Sequence, residues 1–322
     1  MRTTLVSLVC ALALVGCNKD KKEAGGGSAS GTASASDGSA SGSSGSAASG
    51  SSGSTAPVSG GPAGMKVLDQ GSEPRIQLVY KIPPNSKQSF TTTMDMSMDM
   101  GAAMGGKMKL PSMQMDGDVA FGEPKGAGVP FTLTTSKLEF VDTPGAAVPA
   151  SMINDKLKGV SMTATGTLQP NGHLDDFNMD AKNAPPEMQQ TLDGAKRTYD
   201  QMVTQLPDVP VGKGARWQIV QKIDENGIKA EQTAVFEVVD IQGTTIKLKS
   251  TVALSAPPQT ITTNGVTADL KKMAGTGSAD LTLDLTKMIG PTNLTIHIDQ
   301  ELSAMGQSIA MAMDIVTKME PK

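Results

Sequence analysis

In Thr93-Met94-Asp95-Met96-Ser97-Met98-Asp99-Met100 every second residue is a methionine, while Asp95, Ser97 and Asp99 occupy the positions between. Successive side chains of a strand point to opposite faces, so this spacing predicts a β-strand with one apolar and one polar face. The same period of two recurs at Ile246, Leu248, Val252 and Leu254, at Leu281, Leu283 and Leu285, at Leu294, Ile296 and Ile298, and at Ile309, Met311, Met313 and Ile315. Half-buried antiparallel strands carry this pattern, whereas strands covered on both faces read as continuous apolar runs. Turn residues separate the runs at Pro83-Pro84-Asn85, Asn171-Gly172, Asn226-Gly227, Gln242-Gly243 and Gly290-Pro291. The pattern predicts about eleven or twelve strands in a mainly β chain. They are expected to form a large curved antiparallel sheet, as a half-barrel or open barrel.

One stretch follows a different period. From Ala184 to Leu206 the apolar residues Met188, Leu192, Ala195, Tyr199, Met202, Val203 and Leu206 recur at helical spacing. Asn183 suits an N-cap, Pro185 and Pro186 a first turn, and Pro207 a stop, so one amphipathic helix packed on the sheet is expected. A helix near the middle divides the β-rich domain, residues 65–322, into halves at 65–206 and 207–322. Gly159 to Phe177 and Gly275 to Ile298 echo each other weakly. The spacing is compatible with two fused repeats or with one undivided sheet.

Composition narrows the functional classes. The chain has 322 residues with 2 Cys, 2 His and 1 Trp, too few thiols for a disulfide scaffold and too few imidazoles for a His/Cys metal or nucleophile site. A net charge of -4 without a basic cluster excludes nucleic acid as the expected partner. At the N-terminus, Arg2 and the apolar run from Leu5 to Val15 have the layout of a signal peptide, residues 1–16. Leu14-Val15-Gly16-Cys17 resembles a bacterial lipobox. The resemblance implies that Cys17 is acylated and becomes the first residue of an exported, membrane-anchored chain. Three acyl chains on one cysteine anchor stably where one does not. Asn18, in place of an aspartate, implies sorting to the outer membrane, facing the periplasm or the cell surface. Cys10 leaves with the signal peptide, so packing alone is expected to hold the mature chain.

Residues 17–64 form the expected linker, and Ala24 to Gly64 is almost wholly Gly, Ser, Ala and Thr. Such a composition cannot bury enough apolar surface to offset chain entropy, so a disordered tether is expected. At roughly 5–6 Å × √n it would span about 32–38 Å.

A second resemblance rests on Leu206-Pro207-Asp208-Val209-Pro210-Val211-Gly212-Lys213-Gly214-Ala215-Arg216-Trp217. This Leu-Pro-x-x-Pro-Val-x-x-Gly-x-x-Trp segment, with the preceding hairpin and helix, resembles a group of uncharacterised bacterial lipoproteins over about residues 160–300. That likeness implies a β-rich envelope domain and brings neither an activity nor catalytic residues. The architecture is also similar to half-barrel lipid carriers of the LolA kind.

Three constellations could carry chemistry. Gly212-Lys213-Gly214 leads into an apolar strand pattern and not a helix, so it reads as a turn and not a phosphate loop. His173 follows a hairpin turn and His297 sits outward between Thr295 and Asp299, without the oriented partner that a general base needs. The chain is therefore read as non-enzymatic, with no catalytic residue and no cofactor. Methionine is the third: Met94, Met96, Met98, Met100, Met104, Met108, Met113 and Met115 crowd one short region. Thioethers are adaptable apolar fillers, so Met94, Met96, Met98, Met100, Met311 and Met313 would line a surface for a lipid or other hydrophobic molecule. Thioethers also select Cu(I), which makes Met94, Met96, Met98, Met100, Met113 and Met115 an alternative copper set. A structural or protein-interaction role, with the same residues as plain core, is the third reading. Protein partners are not legible.

Overall fold

The alternating segments pair edge to edge into one 14-stranded antiparallel sheet that does not close into a barrel. A computed structural model describes residues 64–101, 106–184, 203–225, 227–263, 266–304 and 307–322. In chain order the strands are β1 (Met65–Asp69), β2 (Lys87–Asp99), β3 (Lys107–Lys109), β4 (Ser112–Phe121) and β5 (Val129–Val141). After helix α1 (Ala150–Leu157) come β6 (Ser161–Leu168), β7 (Leu174–Lys182), β8 (Arg216–Glu225), β9 (Ile228–Gln242) and β10 (Thr245–Ala256). The last four are β11 (Gln259–Thr263), β12 (Val266–Asp284), β13 (Thr292–Ala304) and β14 (Gln307–Pro321). Fourteen strands exceed the expected eleven or twelve because β1, β3 and β11 are only three to five residues long, too short to display a period.

Across the sheet the order is β1-β8-β9-β10-β12-β13-β14-β2-β4-β5-β6-β7, with β11 on β12 and β3 on β2. Apart from the short strands β3 and β11, which sit beside β2 and β12 off the main path, neighbours in sequence are neighbours in space except at two junctions: β1 lies outside β8, and β14 lies beside β2. At the second the register is Met313 to Met98, Ile315 to Met96 and Thr317 to Met94. Strand β10 shows why the faces separate. Ile246, Leu248, Ser250, Val252 and Leu254 are buried, while Lys247, Lys249, Thr251 and Ala253 face solvent. Register shifts at Asp116/Gly117, Thr165/Thr167, Lys247/Leu248 and Leu270/Lys272 add the local bends that curve a sheet.

Between β1 and β2, residues 70–86 cross the inner side of the sheet. Their apolar alternation, Leu78, Tyr80 and Ile82, is buried. The Tyr80 amide donates to the Pro170 carbonyl at 2.7 Å and the Lys81 amide to that of Leu285 at 2.7 Å, so the segment is held by both flanks of the sheet. Ile76 and Val211 form an isolated antiparallel bridge that ties its start to the approach to β8. Trp217, Phe90, Leu78, Leu206 and Ile246 are fully buried in the resulting core.

The expected helix over Ala184 to Leu206 lies mostly outside the described residues, which omit 185–202. Its last turn is corrected: Val203 to Leu206 are not helical. The Leu206 amide donates to Asn171, the Thr204 carbonyl accepts from Tyr80, and Pro207 disfavours helical geometry in the residue before it. The helix among the described residues, α1, has no strong sequence signal. Asp142 Oδ1 accepts from the Ala150 amide at 2.6 Å, and the Asn154 side chain bonds both the amide and the carbonyl of Phe140 on β5. The expected signal peptide, Cys17 and all of the expected linker but Gly64 also lie outside the described residues.

Candidate functional site

Strand register gathers the methionines onto one face. In antiparallel pairs, directly opposed residues share a face. On β2, Met94, Met96 and Met98 are buried together with Phe90 and Thr92. Opposite them stand Met113 and Met115 of β4, paired with Met94 and Thr92, and Met108 of β3, paired with Met98. On the other flank β14 places Met313 against Met98, with Met311 one step further along the same face. Met100, Met311 and Met113 are partly buried. The two residue sets proposed from sequence thus occupy one contiguous apolar patch on β2, β3, β4 and β14.

Two concavities lie elsewhere. The first, about 80 Å³ open to the centre of a water-sized sphere, sits between β8, β9, the β12–β13 connection, Met319 of β14 and residues 203–205. None of its described lining residues is charged. Ile219, Phe236, Leu283, Met288 and Met319 form apolar walls, while Gln205 and Gln221 are half-buried. Gln232 opposes Gln221 across the β8–β9 pair, is 2% exposed, and its Oε1 has no hydrogen-bond partner. Beside this wall Trp217 stacks on Phe236 with ring centroids 5.3 Å apart and planes 5° apart. Burial pushes the Tyr80 phenol well above its ordinary range, and its hydroxyl donates to the Thr204 carbonyl at 3.2 Å. It stays neutral and pins the strand of chain that roofs the cavity.

The second is a polar surface hollow lined by Gln77, Val79, Gln169, Asn171, His173, Asp175 and Asp208. His173 Nε2 lies 3.3 Å from Asp175 Oδ1 and its amide donates to Asn171 Oδ1 at 3.1 Å. Both side chains are over 40% exposed. Gly212-Lys213-Gly214 forms a turn that delivers the chain into β8, and the Lys213 carbonyl accepts from the Ser72 amide.

His297 projects from the outer face, as its neighbours in sequence suggest. Its Nδ1 is 2.7 Å from Asp314 Oδ1 and its Nε2 3.3 Å from Asp299 Oδ1, while Lys107 Nζ is 3.6 Å from Asp314 Oδ2. The Asp314 hydrogen bond, with the charges of Asp299 and Asp314, holds the imidazole above its ordinary value and outweighs a small desolvation. Asp314 is held down by its bond to His297. A raised folded-state value means that the histidine contributes stability fully below about pH 6.5, lost as pH rises through the higher folded value. The depressed Asp314 contributes above its ordinary range and loses this as pH falls. Side-chain exposures of 47% and 48% let solvent screen the pair, so the effect on stability is small. The effect on titration is not: an NMR pH series should place the His297 midpoint above 6.5, and Asp314→Asn should lower it. An unchanged midpoint in that variant would contradict the assignment.

A model described as a family of unknown function, DUF6263, matches residues 131–288, a span that contains the Leu206 to Trp217 segment and most of the cavity wall. No curated protein matches the chain. Among solved structures, a Bacteroides fragilis protein described as a "putative exported protein with YmcC-like fold" aligns over 77% of this chain and 100% of its own, at 12% identity and TM-score 0.24. That score is too low to carry over a fold or an activity.

Gln232 was not singled out from sequence, although a signal was present. In Ile228, Ala230, Gln232, Ala234, Phe236 and Val238 it is the lone polar residue at an inward position. No helix among the described residues is long and apolar enough to cross a membrane.

Proposed function

We propose that the protein is an exported lipoprotein, anchored through acylated Cys17 to the outer membrane, whose β-rich domain binds a lipid or other hydrophobic molecule without catalysing a reaction. The observation that carries this reading is the inner face of the sheet. Its methionine patch is flexible and apolar, and at the other end of β14 it adjoins an uncharged cavity under Met319. Thioether side chains accommodate varied apolar shapes, and ligand cavities are characteristically apolar with few polar groups. A tether beside a bilayer supplies such a molecule.

Mass spectrometry of the chain gently extracted from membranes should detect co-purifying lipid in stoichiometric amounts. A preparation that carries none and takes up no fluorescent fatty-acid probe would overturn the reading and leave a purely structural role. Cys17→Ala should leave the chain unprocessed or release it from membranes. If that variant is processed and still fractionates with membranes, the anchor assignment fails.

A further inference from the structure

We infer that the cavity under Met319 is the site for the polar end of the bound molecule, and that this end is an uncharged group with a hydrogen-bond donor, a hydroxyl above all. The inference rests on the hydrophobic-ligand reading and specifies its chemistry. Three features lead to it.

The first is the idle acceptor. Gln232 is 2% exposed, yet its Oε1 lacks a partner while it lines an unfilled space. A buried carbonyl oxygen without a hydrogen bond is costly, and native interiors rarely leave one so. The residue occupies an inward position that an aliphatic side chain would fill with no such cost. An amide there makes physical sense when a donor arrives from outside the chain.

Charge is the second. Among the described residues the lining has neither acidic nor basic side chains, so they offer an ionised carboxylate or phosphate no counter-charge for its lost hydration. A neutral head is selected. The acceptor is an oxygen, so a head carrying O–H or N–H is preferred over an ether or ester of the same size.

Position is the third. Met319, in the cavity wall, lies on the same face of β14 as Thr317, Ile315 and Met313, which leads to the methionine patch. At about 3.3 Å per residue, Met313 and Met319 are roughly 20 Å apart, a reach suited to a long acyl tail.

The test uses small isomeric probes that fit the cavity. Binding of 1-hexanol, pentyl methyl ether and hexanoate to the full-length chain is measured by ligand-observed NMR at pH 8. The alcohol should bind at least tenfold more tightly than the ether, because a site arranged to receive a donor rejects the analogue that lacks it. Hexanoate should bind more weakly than either. In Gln232→Leu, which keeps the volume and removes the acceptor, alcohol and ether should bind alike. Equal affinities in the native chain would overturn the inference, as would unchanged discrimination in the variant. Failure of all probes to bind, with water alone in the cavity, would overturn it too.

The wider reading fails separately. Co-purified lipid together with indifferent probes would retain a hydrophobic ligand and remove its head from this cavity. Alcohol selectivity together with a chain that carries no lipid would retain the cavity as a site for neutral alcohols and remove the lipid. If mass spectrometry identifies the native ligand, an uncharged hydroxyl-bearing lipid supports the inference and a fatty acid or phospholipid overturns it.

Discussion

Trp217→Ala should destabilise the domain by about 3–5 kcal/mol, the usual cost of truncating a large buried aromatic. Trp217 is fully buried, and its ring lies flat against Phe236 on the neighbouring strand. The loss combines removed apolar burial, a broken stacking contact and a void that antiparallel strands on either side cannot close. Against a typical total of about 5–15 kcal/mol, the variant would be marginal at physiological temperature. The indole Nε1 has no partner, so Trp217→Phe gives up no hydrogen bond and should cost much less than alanine. Urea titrations followed by circular dichroism would measure both, since the chain has 1 Trp and the variants have lost the fluorescent reporter. A loss below about 1 kcal/mol for alanine would show that the stack is not a keystone of the core.

Gly212→Ala should cost a similar amount, about 3–5 kcal/mol, for a different reason. A methyl group on Gly212 would lie 1.8 Å from the Ser72 carbonyl oxygen, far inside contact distance. Backbone cannot rotate away as a side chain can. Here it is pinned by bonds from the Gly212 amide to Gln70 and from the Ser72 amide to Lys213, at 2.8 and 2.9 Å. Relief therefore requires residues 70–76 to separate from the turn before β8. Hydrogen exchange at Ile76 and Val211, whose amides bond each other's carbonyls, should rise together. Gly214 offers the control. It has φ +82° but nothing within 4 Å of a built Cβ, so Gly214→Ala should cost only the left-handed backbone penalty of about 1–2 kcal/mol. If the two alanine variants are equally stable, the close approach at Ser72 is not what Gly212 provides.

The strands of this protein were readable because each carries its own record of which side faces inward. Ile246 to Leu254 or Met94 to Met98 need no partner to reveal a buried face. The fold class, a mainly β chain with a large open antiparallel sheet, followed from those local records. What joins the strands was not local. That β14 pairs with β2, and β1 with β8, depends on where residues 70–86 cross, and nothing in the sequence of those residues marks them as a crossing. Helix α1 was missed because its stability comes from Asn154 and Asp142 bonding to particular backbone groups, with only Ala150 and Leu157 buried, too little for a clear helical stripe. The candidate site divided in the same way. The methionine patch was visible as composition and period. The cavity was not, because empty space is a property of several segments meeting, here β8, β9, the β12–β13 connection and residues 203–205.

The seam between β14 and β2 has a consequence for how the molecule comes into being. Ser97 and Asp314, hydrogen-bonded across it at 3.5 Å, are 217 positions apart, and β14 ends at Pro321 of a 322-residue chain. The middle of the sheet cannot be zipped until β14 is available to pair with β2. Until then β2 and β13 each present an open edge, and closing so long a loop makes the final step slow compared with hairpin formation. Completion of the sheet is thereby timed to the arrival of β14.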